Sequence, residues 1–344
     1  MSPLHDRYRL PKEEGSLART IRHRPPDTLD ARAGRRGAPL ALALVALAAL
    51  TTSCAHFVAN SVGNSIANGP DVYGTDDDPE LVRDALPFGL KTMESLLQTV
   101  PKHRGLLLTA CKGFTEYAAA FVQMDADRIE PTDYPRATEM RQRALKLYLR
   151  ARDYGLRGLA LDNKGIADQL KLDPQTAVKR IGARDLAMLY WTAAAWGSAL
   201  SLGKDRADLL ADLPAVHSLM ERGLALNESY DGGAFHEAMI ILLALPPAMG
   251  GSPDSARTHF ERAVSLSKGT RASPYVTMAQ SVSVLTQNRS EFDRLLHQAL
   301  AVDPEAERSQ RLANLVLQQR ARFLLGREDE LFLEPDTTKP EGKR

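Results

Sequence analysis

Three stretches in the C-terminal half of this 344-residue chain end alike, and they limit the possible fold more than any other feature. Met220-Glu221-Arg222-Gly223-Leu224-Ala225-Leu226-Asn227 is followed 40 residues later by Phe260-Glu261-Arg262-Ala263-Val264-Ser265-Leu266-Ser267. After a further 36 residues comes Leu296-His297-Gln298-Ala299-Leu300-Ala301-Val302-Asp303, closed by Pro304. Each reads as the end of an amphipathic helix, with apolar residues three and four apart. The small residue in each copy, Gly223, Ala263 or Ala299, falls where a neighbouring helix must come close. A unit of this size cannot close a core alone, so units must stack.

The rest of the chain agrees with a helical stack. Leu81, Ala85, Phe88, Met93, Leu96 and Leu97 recur at helical spacing, and Leu106 to Met124 is a mostly apolar run. Asp133 to Ala160 is amphipathic, with Leu145, Tyr148, Leu149, Arg152 and Leu156 at helical spacing. Asp173-Pro174 is a helix start. Asp185 to Leu202 holds both tryptophans, and its alanines and glycine point to a buried helix rather than a membrane span. Helices are expected at Leu213–Leu226, Gly233–Leu245, Ser252–Leu266, Ser273–Val284, Asn288–Ala301 and Glu305–Leu325, and almost nothing alternates with the period of a strand. The expected fold is all-α, a tetratricopeptide-like repeat stack of antiparallel helix pairs over residues 80–333. The repeat exceeds the usual period of about 34 residues, which calls for longer loops between units. A generic helical bundle is the alternative.

The N-terminal part has a different character. Residues 1–53 hold nine Lys/Arg and five acids, then an apolar run from Ala38 to Leu50 that is too short to span a bilayer. Basic, apolar and small residues in that order form a bacterial export signal. The segment Leu50-Thr51-Thr52-Ser53-Cys54 resembles a lipoprotein processing site, making Cys54 the expected lipidation position and lipid the expected membrane anchor. An ordinary signal peptide cleaved nearby, or an uncleaved anchor, is the alternative. Residues 54–79 read as a tether and 334–344 as a flexible tail. Beyond residue 53 there are 35 basic and 38 acidic residues, so nothing marks a nucleic-acid surface. The other cysteine, Cys111, lies in an apolar stretch and reads as a buried thiol.

Catalytic signatures are missing. There is no His-Glu-x-x-His, no cysteine pair, no Gly-rich phosphate loop and no nucleophile elbow, so no catalytic residue, cofactor or metal site is expected. The most particular cluster is Tyr230-Asp231-Gly232-Gly233-Ala234-Phe235-His236-Glu237. It joins a turn to a helix start where Asp231 is placed to cap. Trp191 and Trp196, five residues apart, point about 140° apart on a helix, so one can pack in the core while the other lines a groove.

Four segments together resemble the T component of tripartite ATP-independent periplasmic (TRAP) transporters. They are Leu189 to Gly197 (LYWTAAAWG), Tyr230 to His236 (YDGGAFH), Ala272 to Ala279 (ASPYVTMA), and Leu312-Ala313-Asn314 with Gln319 to Leu325 (QRARFLL). The resemblance covers roughly residues 54–333. It implies a non-enzymatic, lipid-tethered, all-helical periplasmic protein that forms homotrimers with a pore through each subunit. It further implies a periplasmic solute-binding protein as partner and an organic ligand, hydrophobic or carboxylate in nature, passed between them. Tyr190, Trp191, Trp196 and Tyr275 are candidates to enclose an apolar ligand body, and His236, Arg320 and Arg322 to meet an anionic end. A solvated helix face is the other reading of Arg320 and Arg322. A repeat scaffold for envelope assembly, with no small ligand, is the alternative function. Residues Ala55-His56 after the cysteine favour the outer membrane over the inner.

Overall fold

Helix starts in this chain are set by short polar residues whose side chains satisfy the first free backbone N–H groups. In a computed structural model, which describes residues 56–245 and 250–333, Asp78 accepts from Glu80 and Leu81, Asp133 from Arg136, Asp173 from Thr176, Ser252 from Ser255 and Asn288 from Glu291. Proline stands in the first turn of several of these helices, where its missing N–H costs nothing. The leader, Cys54 and the tail lie outside the described residues.

The helices, in order, are α1 (residues 56–68), α2 (Pro79–Thr99), α3 (Arg104–Tyr117), α4 (Met124–Ile129), α5 (Tyr134–Ala160), α6 (Ile166–Leu172), α7 (Pro174–Ala177), α8 (Leu186–Leu202) and α9 (Ala207–Leu210). They continue with α10 (Leu213–Leu226), α11 (Ala234–Leu243), α12 (Pro253–Leu266), α13 (Ser273–Met278), α14 (Arg289–Ala301), α15 (Arg311–Leu325) and α16 (Glu328–Leu331). No strand occurs among the described residues, so the fold is all-α. A π-helical turn, Ala118–Gln123, joins α3 to α4 in one continuous rod, and a second one, Ala279–Ser283, extends α13. No described helix is long and apolar enough to cross a membrane.

α8 is apolar on every side because α3, α5 and α10 all pack against it. The α5 crossing is close. A Cβ at Gly155 would stand 2.2 Å from Thr192 Oγ1, and one at Gly158 would stand 2.2 Å from Met188 Cε. Cys111 is fully buried beside this crossing, and burial pushes its thiol far above the ordinary range. Trp196 is also fully buried, its indole N–H donating to Asp212 Oδ2 at 3.1 Å beneath the Arg152 guanidinium.

From α10 to α15 each helix packs on the next, and α11, α13 and α15 also touch in series. α11 joins the two apolar cores: Phe235 and Met239 belong to the first and Ile240 to the second. The small residues of the three repeat ends meet neighbouring helices closely. A Cβ at Gly223 would stand 2.0 Å from the Phe235 ring, while Ala263 and Ala299 are buried.

Two segments differ from expectation. Residues 56–68, inside the expected tether, form α1, whose Gly63 lies against Leu106 and His103 of the α3 start. The turn formers Gly69 and Pro70 act only after it. The last long helix starts at Arg311 rather than Glu305, because residues 308–310 form a 3-10 turn and the Leu312 N–H donates to the Gly74 carbonyl at 3.1 Å. That bond brings the end of the helical array back to its beginning. Arg311–Asp77 at 2.9 Å and Arg320–Asp127 at 2.9 Å reinforce the return.

Candidate functional site

The aromatic end of α8 meets the turn that precedes α11. The Tyr190 ring contacts Trp191 edge-on at 5.1 Å, Phe235 edge-on at 5.2 Å and Tyr230 at 5.6 Å, and Tyr230 and Phe235 meet at 5.5 Å. Tyr190 and Trp191 are half-buried and Phe235 is fully buried. Phe235 therefore holds the cluster from below while the other rings present surface.

The turn is unusual in its backbone. Asp231, Gly232 and Gly233 have φ of 44°, 62° and 94°, a run that two glycines make possible without steric strain at their positions. A Cβ on Gly232 would press on the Arg271 guanidinium at 2.8 Å. The turn sends Asp231 away from the α11 backbone, so it does not cap that helix as expected, and Gly233 occupies the cap position. Asp231 instead receives Arg271 twice, at 2.6 Å on its carbonyl and 2.7 Å on its carboxylate. Arg271 also reaches Glu307 at 3.3 Å.

Two more of the segments that carry the resemblance close on the same place. Asn314, buried at 1% exposure, accepts from the Ala272 N–H and donates to the Thr270 carbonyl, both at 2.9 Å. It thereby fixes the loop that carries Arg271 and starts α13. Ser273 and Thr277, on the first turns of α13, donate to the two oxygens of Glu237 at 2.7 and 3.2 Å. Burial raises the Glu237 carboxyl above its usual range despite these bonds.

From the opposite side, α3 contributes Lys112 and Glu116. The Lys112 ammonium donates to Asp71 at 3.0 Å and stands over the Trp191 ring at 5.9 Å. Glu116 lies 3.9 Å from Lys112, too far for a hydrogen bond. Burial, with Asp71 and Asp231 nearby, pushes its carboxyl up to about 7. Yet 46% of its side chain is reached by water. The Glu116 carboxyl is therefore open to solvent at the edge of the aromatic cluster. Burial, followed by the charges of Glu237 and Asp231, also keeps the Tyr190 phenol neutral.

Of the residues nominated from sequence, Tyr190 and Trp191 share this site and the others stand elsewhere. Trp196 faces Asp212. His236 turns toward α12, its Nδ1 2.8 Å from that of His259 and its Nε2 3.3 Å from Glu228. Tyr275 packs edge-on against Phe260 at 5.7 Å. Arg320 bridges Asp127 and Gln280, and Arg322 is exposed. Glu237 stood in the cluster singled out from sequence but was not nominated for the ligand, and sequence reasoning overlooked Lys112, Glu116 and Arg271. A signal for Lys112 and Glu116 was present: an i, i+4 charged pair interrupting an otherwise apolar run. Among the described residues no group of three His, Cys, Asp or Glu is placed to hold a metal ion. A surface groove of ≈ 680 Å³ between α2 and α5 is separate from this site, and its Glu94 is already engaged by Lys91, Arg150 and Tyr154.

The model of the TRAP transporter T-component family matches residues 75–332. An uncharacterized protein of Treponema pallidum (strain Nichols) is 30% identical over 268 residues, covering 76% of this chain and 83% of that protein. The chain belongs to the TRAP transporter T-component family.

Proposed function

We propose that this protein is a non-enzymatic periplasmic accessory of a TRAP-type transport system, which docks a solute-binding protein and helps transfer its organic ligand. The observation that carries this reading is the meeting of four family-like segments around one half-buried aromatic cluster. Tyr190, Trp191 and Tyr230 offer ring surface to a ligand body, while ionisable groups at the edge read its polar end. The serial packing of α10 to α15 supports a tetratricopeptide-like stack, an architecture that makes extended surfaces for a protein partner. In the same reading Cys54 carries the lipid that holds residues 80–333 at the outer membrane, and the protein assembles as a homotrimer. Affinity capture of the full chain from its native host, with mass spectrometry of what accompanies it, is the test. A stoichiometric periplasmic solute-binding protein is expected. Recovery of cell-wall or outer-membrane assembly proteins without one would refute this reading and favour an envelope scaffold.

A further inference from the structure

The outer face of α5 carries cations that the rest of the chain leaves unneutralised. Arg143, Lys146, Arg150 and Arg157 follow one another at intervals of three, four and seven residues, which places them in one stripe along the helix. All four are exposed. Among the described residues Arg143, Lys146 and Arg157 reach no carboxylate; Arg143 bonds to the Tyr117 hydroxyl at 3.2 Å and Arg157 to the Pro101 carbonyl at 3.1 Å. Arg150 approaches Glu94 at 3.5 Å, but that carboxylate already holds Lys91 and the Tyr154 hydroxyl. Asp153, beside the stripe, is taken by Arg152 at 2.8 Å. Elsewhere the pattern is the opposite, since Arg83, Arg141, Arg257 and Arg327 each pair with an acid.

Aromatic rings hold these cations in place. The guanidinium of Arg143 lies over Tyr117 at 5.7 Å, that of Arg150 over Phe114 at 5.4 Å and that of Arg157 over Tyr154 at 5.2 Å. Side chains ordered beforehand lose less entropy when a partner arrives. Lys146, Arg150 and Arg157 wall one side of the ≈ 680 Å³ groove, and Lys91 and Ser95 of α2 wall the other. Phe88 stands one turn before Lys91 on the same face of α2 and is 80% exposed, with Leu81 behind it at 58%.

The shape of the groove and the spread of its charge select the partner. From Arg143 to Arg157 the stripe runs about 20 Å, so a small anion meets only one or two of its cations. A flat bilayer does not enter a concave groove. A protein ridge bearing several carboxylates does, and arginine and aromatic side chains are the types that anchor protein interfaces. Within the transport reading above, on which this rests, we propose that the α2–α5 groove is the docking surface for the solute-binding protein, which presents an acidic ridge to the α5 stripe and an apolar pocket to Phe88. The stripe steers the encounter and fixes its register, while Phe88 supplies the apolar anchor.

The test places a photocrosslinking amino acid at Ser95, in the groove, and separately at the half-exposed Ile241 on α11, each in the full chain in its native host. The solute-binding protein is expected in the Ser95 adduct. With the purified pair, Phe88→Ala is expected to weaken binding about tenfold or more, and Lys146→Glu about threefold or more at 0.1 M salt, with the second effect fading as salt is raised. Both side chains are exposed, so circular dichroism and urea unfolding should be unaltered. A solute-binding protein that accompanies the chain on affinity capture but is missing from the Ser95 adduct, or that crosslinks equally from Ile241, would overturn the docking surface and leave the transport reading standing. Affinity unaltered by Phe88→Ala, or by Lys146→Glu, would overturn it as well, as would a Ser95 adduct holding only lipid or a second copy of this chain. Absence of a solute-binding protein from both the capture and every adduct strikes the transport reading itself, and the docking surface with it.

Discussion

Replacing Asn314 by Ala removes the one side chain whose amide ties α15 to the loop before α13. Asn314 is 1% exposed, and its amide both accepts from the Ala272 N–H and donates to the Thr270 carbonyl at 2.9 Å. Alanine leaves those two backbone groups without partners, and each such orphan costs about 1–3 kcal/mol. The volume lost with the amide adds a smaller cavity term, so the expected total is about 3–5 kcal/mol. For a domain of this size about 1 kcal/mol corresponds to about 2–4 °C, so the melting temperature should fall by roughly 10 °C. Urea unfolding followed by circular dichroism gives the free energy, and hydrogen exchange at residues 270–272 locates the loss. Asn314→Asp separates the two bonds. At low pH the protonated carboxyl of that variant can still donate to the Thr270 carbonyl, whereas the ionised carboxylate would face that oxygen as a buried charge. The introduced carboxyl thus has a raised pKa in the folded state, so the stability it supports is present at low pH and lost as pH rises. A loss below about 1 kcal/mol for Asn314→Ala, or unaltered exchange at residues 270–272, would refute the reasoning.

Gly223→Ala gains about 1 kcal/mol of helix propensity but puts a Cβ 2.0 Å from the Phe235 ring. Overpacking of this kind costs about 1–3 kcal/mol, so urea unfolding should show a net loss, and tryptophan emission should shift as Phe235 pushes on Tyr190. The His236–His259 pair predicts acid sensitivity. Burial lowers both imidazoles below their usual range, so the unfolded chain takes up protons first. Their contribution is present above about pH 6.5 and is lost as pH falls from there through the lowered folded values. His259→Asn should flatten the change in urea midpoint between about pH 7.5 and about pH 5, and an unchanged slope would count against the pair.

Much of the helical order could be read from the chain because its signals are local. Asp133, Asp173, Ser252 and Asn288 stand at helix starts where their side chains cap, and the Leu213–Leu226 boundaries follow directly from Pro214 and the apolar spacing. Gly223, Ala263 and Ala299 marked close packing because the same small position recurs in each repeat end. The site was legible only in part. Tyr190 and Trp191 stood out by type, but whether Trp196 joined them depended on Asp212, sixteen residues away on another element. Arg271 was invisible as a site residue because its partners, Asp231 and Glu307, are 40 and 36 residues distant. Helical content needs only neighbours three or four apart, whereas ion-pair assignment needs the tertiary path. Residues 56–68 were misread for a related reason. Asn60, Gly63 and Asn64 are turn formers by propensity, yet Gly63 serves as the point of contact with Leu106.

The bond from Leu312 to Gly74 has a consequence for how such a protein can change over time. An open solenoid can gain or lose a unit at either end, since each unit meets only its neighbours. Here α15 and the turn before it are fastened to earlier parts of the chain through Leu312–Gly74, Arg311–Asp77 and Arg320–Asp127. Adding or removing one helix pair would displace every one of those partners together. The number of helices between those partners is thereby constrained, and insertions should be tolerated better in exposed loops. Joining the two ends and opening a new break in an exposed loop should be better tolerated than trimming a single helix from either terminus.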